Sequence, residues 1–298
     1  MRVLVTGATG AQGGSVARTL LARGHEVVAL TRKPESSAAH ALARAGARVV
    51  AGDLADRTAL FRLIHEADAV FGLTNYWEHF GAEVTHGKNL VDACRERRAV
   101  HLDLSTLASA AEASGGEISV PHLETKREIE AHARASSVEP TFLHVAYYYE
   151  NFLTWFAPRR DHGGALSFGF PQGDAALAAV SVADVGAVVA SVLEEGSSTR
   201  GRTIGVVGDE LPCAQYAEAM SRVVGESITY RHVPREVFAQ LGFPGAEDLA
   251  ARFEFTRRFV GSRRADREET RRRNPGVSDF SAWATANQNA LREVCRGP

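Results

Sequence analysis

The chain has 298 residues, with 34 lysines and arginines against 36 aspartates and glutamates, so its formal net charge is −2. A charge this close to neutral gives no general attraction to nucleic acid or to a membrane surface, and neither is an expected partner. The three cysteines are far apart and form no paired motif, which predicts reduced thiols and no bound metal. We expect a soluble, cytoplasmic protein, because the first strand begins at residue 2 and no apolar run approaches the ~20 residues of a membrane span.

The beginning of the chain carries a glycine-rich turn. Residues 2–5 are a short aliphatic run typical of a buried parallel strand, and the apolar residues of 16–21 recur at helical spacing. Gly7, Gly10 and Gly13 lie between them. In this position glycines allow a tight turn and a close approach of backbone to a pyrophosphate at the helix start. The pattern therefore predicts a dinucleotide site, whereas a glycine trio outside this context could equally be a simple turn.

The end of the second predicted strand indicates which dinucleotide is bound. Residues 26–30 form the strand, and Thr31, Arg32 and Lys33 follow it. NAD sites usually place an acid here for the ribose diol, whereas a 2′-phosphate is met by arginine or lysine. Two cations and no acid predict NADP(H), with Arg32 as the principal contact; a solvated basic loop is the alternative.

Polar residues also follow the third and fourth predicted strands. Asp53 comes after residues 48–51, and its carboxylate could either accept from an adenine amino group or cap the following helix. Thr74 and Asn75 follow residues 69–73. In a doubly wound sheet the fourth strand flanks the switch point, so we expect these two residues to lie over the dinucleotide.

Strands and helices alternate through the first part of the chain, and a fifth strand over 100–104 ends at Ser105. Five strands and four helices in about 105 residues predict an α/β fold, a Rossmann doubly wound parallel sheet with right-handed crossovers. A sixth strand is predicted over 141–145. A helix over 182–195 and a strand over 203–207 then rejoin the sheet. We therefore predict a Rossmann domain and a smaller, mainly helical C-terminal lobe, with these bounds: 1–151 and 180–207 for the domain, 152–179 and 208–298 for the lobe.

Two further segments carry candidate chemistry. His122 and Lys126 are four residues apart near the start of a predicted helix, so they project from one face. A histidine beside a lysine could deliver a proton after hydride transfer, although spacing alone favours a packed or capping histidine and a solvated lysine. Residues 147–149 are three tyrosines that either line a pocket or pack under the lobe. The eight arginines within 257–273 alternate with acids, which predicts a solvated, ion-paired face rather than a nucleic-acid surface.

Separated motifs of this chain resemble those of the NmrA-like proteins, atypical members of the short-chain dehydrogenase/reductase superfamily. The likeness runs over nearly the full chain and is strongest to the NADPH-sensing branch. The motifs are Gly7-Ala8-Thr9-Gly10-Ala11-Gln12-Gly13-Gly14, Thr74-Asn75-Tyr76-Trp77, His122-x-x-x-Lys126, Tyr148-Tyr149-Glu150-Asn151 and Leu241-Gly242-Phe243-Pro244-Gly245-Ala246. The resemblance implies NADP(H) contacts from Gly7, Thr9, Gly10, Gln12, Gly13, Arg32, Lys33, Asp53, Leu54, Thr74, Asn75, Lys126, Tyr148 and Asn151.

The resemblance also bears on activity, because the superfamily's Tyr-x-x-x-Lys pair occupies the place of His122 and Lys126. It implies an NADPH-dependent reductase of a small carbonyl, imine or activated double bond. His122 or Tyr148 would supply the proton, Lys126 would orient the nicotinamide ribose and Ser105 would hydrogen-bond the substrate. The alternative is a non-catalytic regulator that reports the NADPH/NADP ratio to a protein partner. The substrate and the oligomeric state stay open, a homodimer included.

Overall fold

The computed structural model describes residues 1–78, 80–97 and 101–296. The strands are β1 Arg2–Val5, β2 Glu26–Thr31, β3 Arg48–Ala51, β4 Ala69–Gly72, β5 His101–Thr106, β6 Thr141–Val145, β7 Tyr147–Tyr148, β8 Arg159–Arg160, β9 Leu166–Phe170, β10 Ala176–Val180, β11 Thr203–Val206, β12 Asp209–Pro212 and β13 Ile228–His232. The helices are α1 Ala11–Ala22, α2 Ser37–Arg44, α3 Arg57–His65, α4 Glu83–Arg97, α5 Ala110–Ala113, α6 Pro121–Arg134, α7 Val182–Glu195, α8 Cys213–Val224, α9 Arg235–Ala239, α10 Ala246–Phe259, α11 Arg264–Arg273, α12 Phe280–Ala286 and α13 Gln288–Arg296. Short 3₁₀ turns cover Tyr76–Glu78, Tyr149–Leu153 and Gly196–Thr199.

The chain forms two compact units. The first comprises Met1–Ala108, His122–Val145 and Val182–Val206, and the second comprises Ser109–Pro121, Ala146–Ser181 and the chain from Val207 onward. The predicted boundaries put 109–121 and 146–151 in the first domain, whereas the compact units assign both segments to the second. For 146–151 the reason is pairing, because Tyr147 of β7 lies opposite Ala179 of β10 in a sheet of the second unit.

The first unit contains a seven-stranded sheet in the order β11-β6-β5-β4-β1-β2-β3. Each neighbouring pair is parallel, so the predicted doubly wound Rossmann fold is confirmed. The strand order reverses between β1 and β4, where Val5 lies opposite Phe71. The carboxyl ends of these two strands therefore flank the topological switch point. Val100, with which the predicted fifth strand began, lies outside the described residues.

Helices pack on both faces of this sheet. On one face α1 and α7 approach closely, since a Cβ added at Gly186 would lie 2.5 Å from the Ser15 Oγ and 2.6 Å from the Ser15 carbonyl oxygen. On the other face an apolar core joins the strands to α3, α4 and α6. Its buried members include Leu4, Val70, Leu102, Leu104, Phe142, Leu60, Leu90 and Ile129. Six strands of the sheet are thus largely buried, whereas the edge strand β3 has no buried residue.

The second unit contains the helices α8 to α13, with β13 between α8 and α9. It also contains two three-stranded sheets, β12-β10-β7 and β13-β9-β8. Its core is aromatic, and the rings of Phe170 and Phe253 stack with centroids 4.2 Å apart. Tyr149 is fully buried in this core, as the packing interpretation of that tyrosine predicted. The arginine-rich segment forms the predicted ion pairs, with Arg257 on Glu254 and Arg264 on Glu268. Among the described residues, no helix combines the length and apolarity that crossing a membrane requires.

Candidate functional site

The glycine turn after β1 is closed by contacts that only glycine allows. Gly7 has a φ of +61°, in the left-handed region that side chains disfavour. Its carbonyl accepts from the Gly10 N–H at 2.9 Å. A Cβ at Gly13 would lie 2.3 Å from the Gly7 carbonyl oxygen and 2.9 Å from that of Thr6. The start of α1 therefore lies directly against the end of β1, with no room for a side chain between them.

Thr6 fixes this turn to the neighbouring strand, a role that we did not predict. Its hydroxyl donates to the Leu73 carbonyl at 2.9 Å and accepts from the Leu73 N–H at 2.7 Å. The two bonds join the carboxyl ends of β1 and β4 at the switch point. The signal in the sequence is a hydroxyl residue at the end of an otherwise aliphatic strand.

The start of α1 has the features of an anion site. Its N-cap, Gly10, supplies no side chain to the first helical N–H groups, which have no acceptor within a helix and carry its positive dipole end. Gln12 is buried, and its amide donates to the Ser105 hydroxyl at 3.0 Å. Two of the predicted site residues, one on α1 and one on β5, are therefore brought together beneath the turn. A glycine-lined turn at a helix start fits a pyrophosphate.

The end of β2 places Arg32 and Lys33 at the surface. Beneath them, the buried Thr31 hydroxyl lies 3.3 Å from that of Thr9 and accepts from the Lys33 N–H at 3.1 Å. The Arg32 guanidinium pairs with the carboxylate of Glu78, on the 3₁₀ turn after β4. Glu78 was not predicted, because the pair joins residues 46 positions apart.

Asp53 and Leu54 lie between β3 and α3. The Asp53 carboxylate accepts from the Ala55 N–H at 2.8 Å, and the cap of α3 is Asp56, which accepts from the Ala59 N–H at 2.9 Å. The capping alternative for Asp53 is therefore wrong, because the chain makes one more turn before the helix begins. Its role toward adenine stays a prediction. The Leu54 carbonyl accepts from the Asn89 amide at 3.0 Å.

Lys126 of α6 is the centre of a buried polar network. Its ammonium lies 2.7 Å from the Thr74 carbonyl oxygen, 2.6 Å from the Thr74 hydroxyl and 2.7 Å from a carboxylate oxygen of Glu83. Thr125 donates to the other Glu83 oxygen at 2.5 Å. Burial lowers the pKa of Lys126, and the Glu83 carboxylate opposes that shift. Since Lys126 is only 8% exposed, the solvated-lysine alternative is wrong.

His122 lies one turn earlier on α6, half-buried beside an aromatic cluster. Its ring centroid is 6.0 Å from that of Tyr76 and 5.4 Å from that of Trp77, and Phe80 completes the cluster at 5.1 Å from Tyr76. The Asn75 side chain holds the turn by accepting from the Trp77 N–H at 3.1 Å. The predicted residues at the end of β4 are thus grouped with His122 and Lys126. Trp77 and Phe80 are exposed, which leaves apolar surface beside the imidazole.

The polar face of α6 continues beyond Lys126 at Glu130. This carboxylate accepts from Thr106 at 2.7 Å and from Arg134 at 2.7 Å, and it lies 3.0 Å from His144 on β6. Burial alone would raise the pKa of Glu130, but hydrogen bonds from His144, Thr106 and Arg134 lower it to about 2. The sequence had indicated none of these contacts. They fix α6 to the carboxyl ends of β5 and β6.

Tyr148 and Asn151 belong to the second unit. Tyr148 is half-buried, and desolvation, with the nearby Glu150 carboxylate, raises the pKa of its phenol. The phenol is therefore protonated at neutral pH. The Asn151 carbonyl accepts from the Phe156 N–H at 2.9 Å and closes the turn that follows β7. The roles of both residues toward a cofactor stay predictions. Within 1–78, 80–97 and 101–296, no group of three histidine, cysteine or acidic side chains could hold a metal ion.

Comparison with known proteins agrees with this architecture. An NmrA-like family domain-containing oxidoreductase of Penicillium ochrochloron is 30% identical over 282 residues, covering 87% of this chain and 84% of that protein. A (4-alkanoyl-5-oxo-2,5-dihydrofuran-3-yl)methyl phosphate reductase of Streptomyces griseus is 31% identical over 232 residues, covering 78% and 77%. The crystal structure of NmrA, a negative transcriptional regulator, in complex with NADP has a TM-score of 0.85 at 23% identity and covers 100% of this chain and 98% of that one. NmrA has also been solved with NAD.

The model of the NmrA-like family matches residues 1–274. That match spans both compact units and confirms the resemblance predicted from the sequence motifs. The chain belongs to the NmrA-like family.

Proposed function

We propose that the protein binds NADP(H) and is an NADPH-dependent reductase of a small carbonyl, imine or activated double bond. The observation that carries the cofactor assignment is the glycine turn, in which Gly13 leaves no space for a Cβ beside Gly7 at the start of α1. The cation at the end of β2 supports the phosphorylated form, because Arg32 stands where NAD sites place an acid. The NADP complex of NmrA and the names of the two relatives agree with this proposal.

Residues at the start of α1 and after β2 and β4 would bind the cofactor. The N–H groups at the start of α1 would hold the pyrophosphate, and Arg32 with Lys33 would hold the 2′-phosphate. Thr74 and Asn75 would contact the dinucleotide at the end of β4. When bound, the cofactor supplies a hydride.

His122 would donate the proton to the substrate, and Tyr148 is the second candidate for this role. The His122 imidazole lies at the start of α6 beside the exposed face of the aromatic cluster, where an unsaturated substrate could stack. Lys126 donates to the carbonyl and hydroxyl oxygens of Thr74 and so holds the residues that follow β4 in place. For Lys126 to hold the nicotinamide ribose directly, one of its three bonds to Thr74 and Glu83 must be exchanged. Ser105, held by Gln12, would orient the substrate.

One observation favours the second candidate function, an NADPH/NADP-sensing regulator. All three N–H groups of the Lys126 ammonium have acceptors within the protein, which suits a structural cation as well as a catalytic one. The similarity to NmrA, a transcriptional regulator, points the same way. A sensor needs different affinities for the reduced and oxidised nucleotide, because equal affinities shift no equilibrium.

The test is NADPH oxidation, followed at its near-ultraviolet absorbance, with quinones, aldehydes, enones and imines as acceptors. A general acid contributes about 10²- to 10⁴-fold, so His122→Ala should lower kcat by at least ~100-fold while NADPH still binds. His132→Ala is the matched control, since His132 lies on the same helix and pairs with Asp92. Tight nucleotide binding that distinguishes NADPH from NADP, without turnover of any acceptor, would support the sensor instead.

A further inference from the structure

We propose that Glu78 is a specificity-determining residue of the cofactor site, whose carboxylate competes with the 2′-phosphate of NADP(H) for Arg32. This inference rests on the proposed function, because it takes Arg32 as the phosphate contact. It adds a residue from the turn after β4 to a recognition step that the sequence had placed only at the end of β2.

The contact itself is an ion pair between two surface side chains. The Arg32 guanidinium donates to the Glu78 carboxylate, and the two side chains are 40% and 52% exposed. A guanidinium binds carboxylate and phosphate through the same planar donors. Glu78 accepts from Nη2, and both two-donor edges of a guanidinium, Nε with Nη2 and Nη1 with Nη2, include that nitrogen. A 2′-phosphate that binds Arg32 through two donors must therefore displace Glu78 or share Nη2 with it.

The strength of the pair makes such exchange feasible. An exposed ion pair contributes much less than a charge-assisted bond to a dianionic phosphate. Displacement of Glu78 therefore does not prevent NADP(H) binding, but it lowers the affinity. The negative charge of Glu78 also remains near the phosphate and opposes it.

The effect depends on the 2′ position of the ribose. NAD(H) has a hydroxyl there and does not compete for a guanidinium as an anion does. Glu78 thus weakens binding of the phosphorylated nucleotide selectively and brings the two affinities closer together. Removal of its charge should make the site more selective for NADP(H).

The chain offers a matched control for this charge. Glu35 lies three residues after Arg32, its side chain is 90% exposed, and it pairs with His40 at 3.3 Å. Glu35→Gln removes the same charge near the end of β2 and leaves the Arg32–Glu78 pair in place. Both variants change exposed side chains, so neither should impair folding.

The experiment is calorimetric titration of the full chain with NADPH and with NADH. Glu78→Gln should tighten NADPH binding about 2- to 5-fold and change NADH binding less than ~1.5-fold, whereas Glu35→Gln should leave the ratio of the two affinities unchanged. Unchanged NADPH affinity in Glu78→Gln, or equal tightening of both nucleotides, would overturn this inference and leave the proposed function intact. Failure of the wild type to bind NADPH would overturn the proposed function, and this inference with it.

Discussion

Substitution of Gly13 by alanine places a side chain where the glycine turn has no space. The added Cβ would lie 2.3 Å from the Gly7 carbonyl oxygen, 2.6 Å from the Gly7 carbonyl carbon and 2.9 Å from the Thr6 carbonyl oxygen. All three are backbone atoms that cannot rotate away, so the start of α1 must move by roughly 1 Å to restore normal contact. Overpacking of this kind costs about 1–3 kcal/mol, and the higher helix propensity of alanine returns up to ~1 kcal/mol.

We therefore expect Gly13→Ala to lower the free energy of unfolding by about 1–2 kcal/mol in urea denaturation. A shift of ~1 Å also moves the helix N–H groups relative to the phosphates, so NADPH affinity should fall about 10- to 100-fold in calorimetry. Gly14→Ala is the control, because its Cβ would lie 3.1 Å from the Ala8 carbonyl oxygen and 3.2 Å from the Arg18 guanidinium, which can move. Its stability should stay within about 1 kcal/mol of the wild type. A Gly13→Ala variant with the stability and the NADPH affinity of the wild type would show that the turn accommodates a side chain at this position.

Three further changes test the contacts that position the site. The folded-state pKa of Glu130 is about 2, against an ordinary value of 4.5. After allowance for solvent screening, the charged form of Glu130 contributes about 1–3 kcal/mol to the free energy of unfolding. This contribution is complete above pH 4.5 and is lost as the pH falls toward 2. Glu130→Gln should remove this part of the pH dependence of the unfolding free energy, and equal slopes in wild type and variant would contradict the assignment. Gly186→Ala should destabilise by about 1–3 kcal/mol, because its Cβ would lie 2.5 Å from the Ser15 hydroxyl oxygen. Thermal denaturation checks this, and Gly81→Ala, with no atom within 4 Å of the added Cβ, should have no such effect. Glu83→Gln leaves the Lys126 ammonium buried without its carboxylate and should cost about 3–5 kcal/mol in urea denaturation. The control is Glu128→Gln, which breaks the exposed pair with Lys88 and should cost less than about 1 kcal/mol. Similar losses of stability in Glu83→Gln and Glu128→Gln would show that burial of the Lys126 pair is unimportant.

Features encoded by consecutive residues could be predicted from the sequence. β1, β2 and β4 are largely apolar runs that are buried along most of their length, so the hydrophobic pattern indicates them as strands. The helices between successive strands indicate that the strands are parallel. The glycine turn is likewise local, since Gly7 and Gly13 both belong to one strand-turn-helix unit. The cations after β2 follow directly from the strand that precedes them.

Features that depend on packing between distant segments could not be predicted. In sequence Glu83 resembles any acid in the first turn of a helix, and it becomes the partner of Lys126 only because α4 and α6 pack on the same face of the sheet. Glu78 meets Arg32 for a similar reason, because one strand, β1, separates β2 from β4 in the sheet. Asp53 and Asp56 are both suitable caps for α3, and only the extra turn between them decides the choice. In the second unit β13 pairs with β9, about sixty residues earlier, which no local pattern specifies.

In the proposed function, the glycine turn binds a nicotinamide dinucleotide and Arg32 holds its 2′-phosphate. Calorimetric titration of the wild type and of Arg32→Asp with NADPH and NADH measures both contacts. A charge-assisted bond to phosphate contributes about 1.5–3 kcal/mol, so Arg32→Asp should weaken NADPH binding by at least ~10-fold and NADH binding far less. A wild-type protein that binds neither nucleotide would show that the turn is not a dinucleotide site, and a variant that loses affinity for both equally would show that Arg32 does not contact the 2′-phosphate.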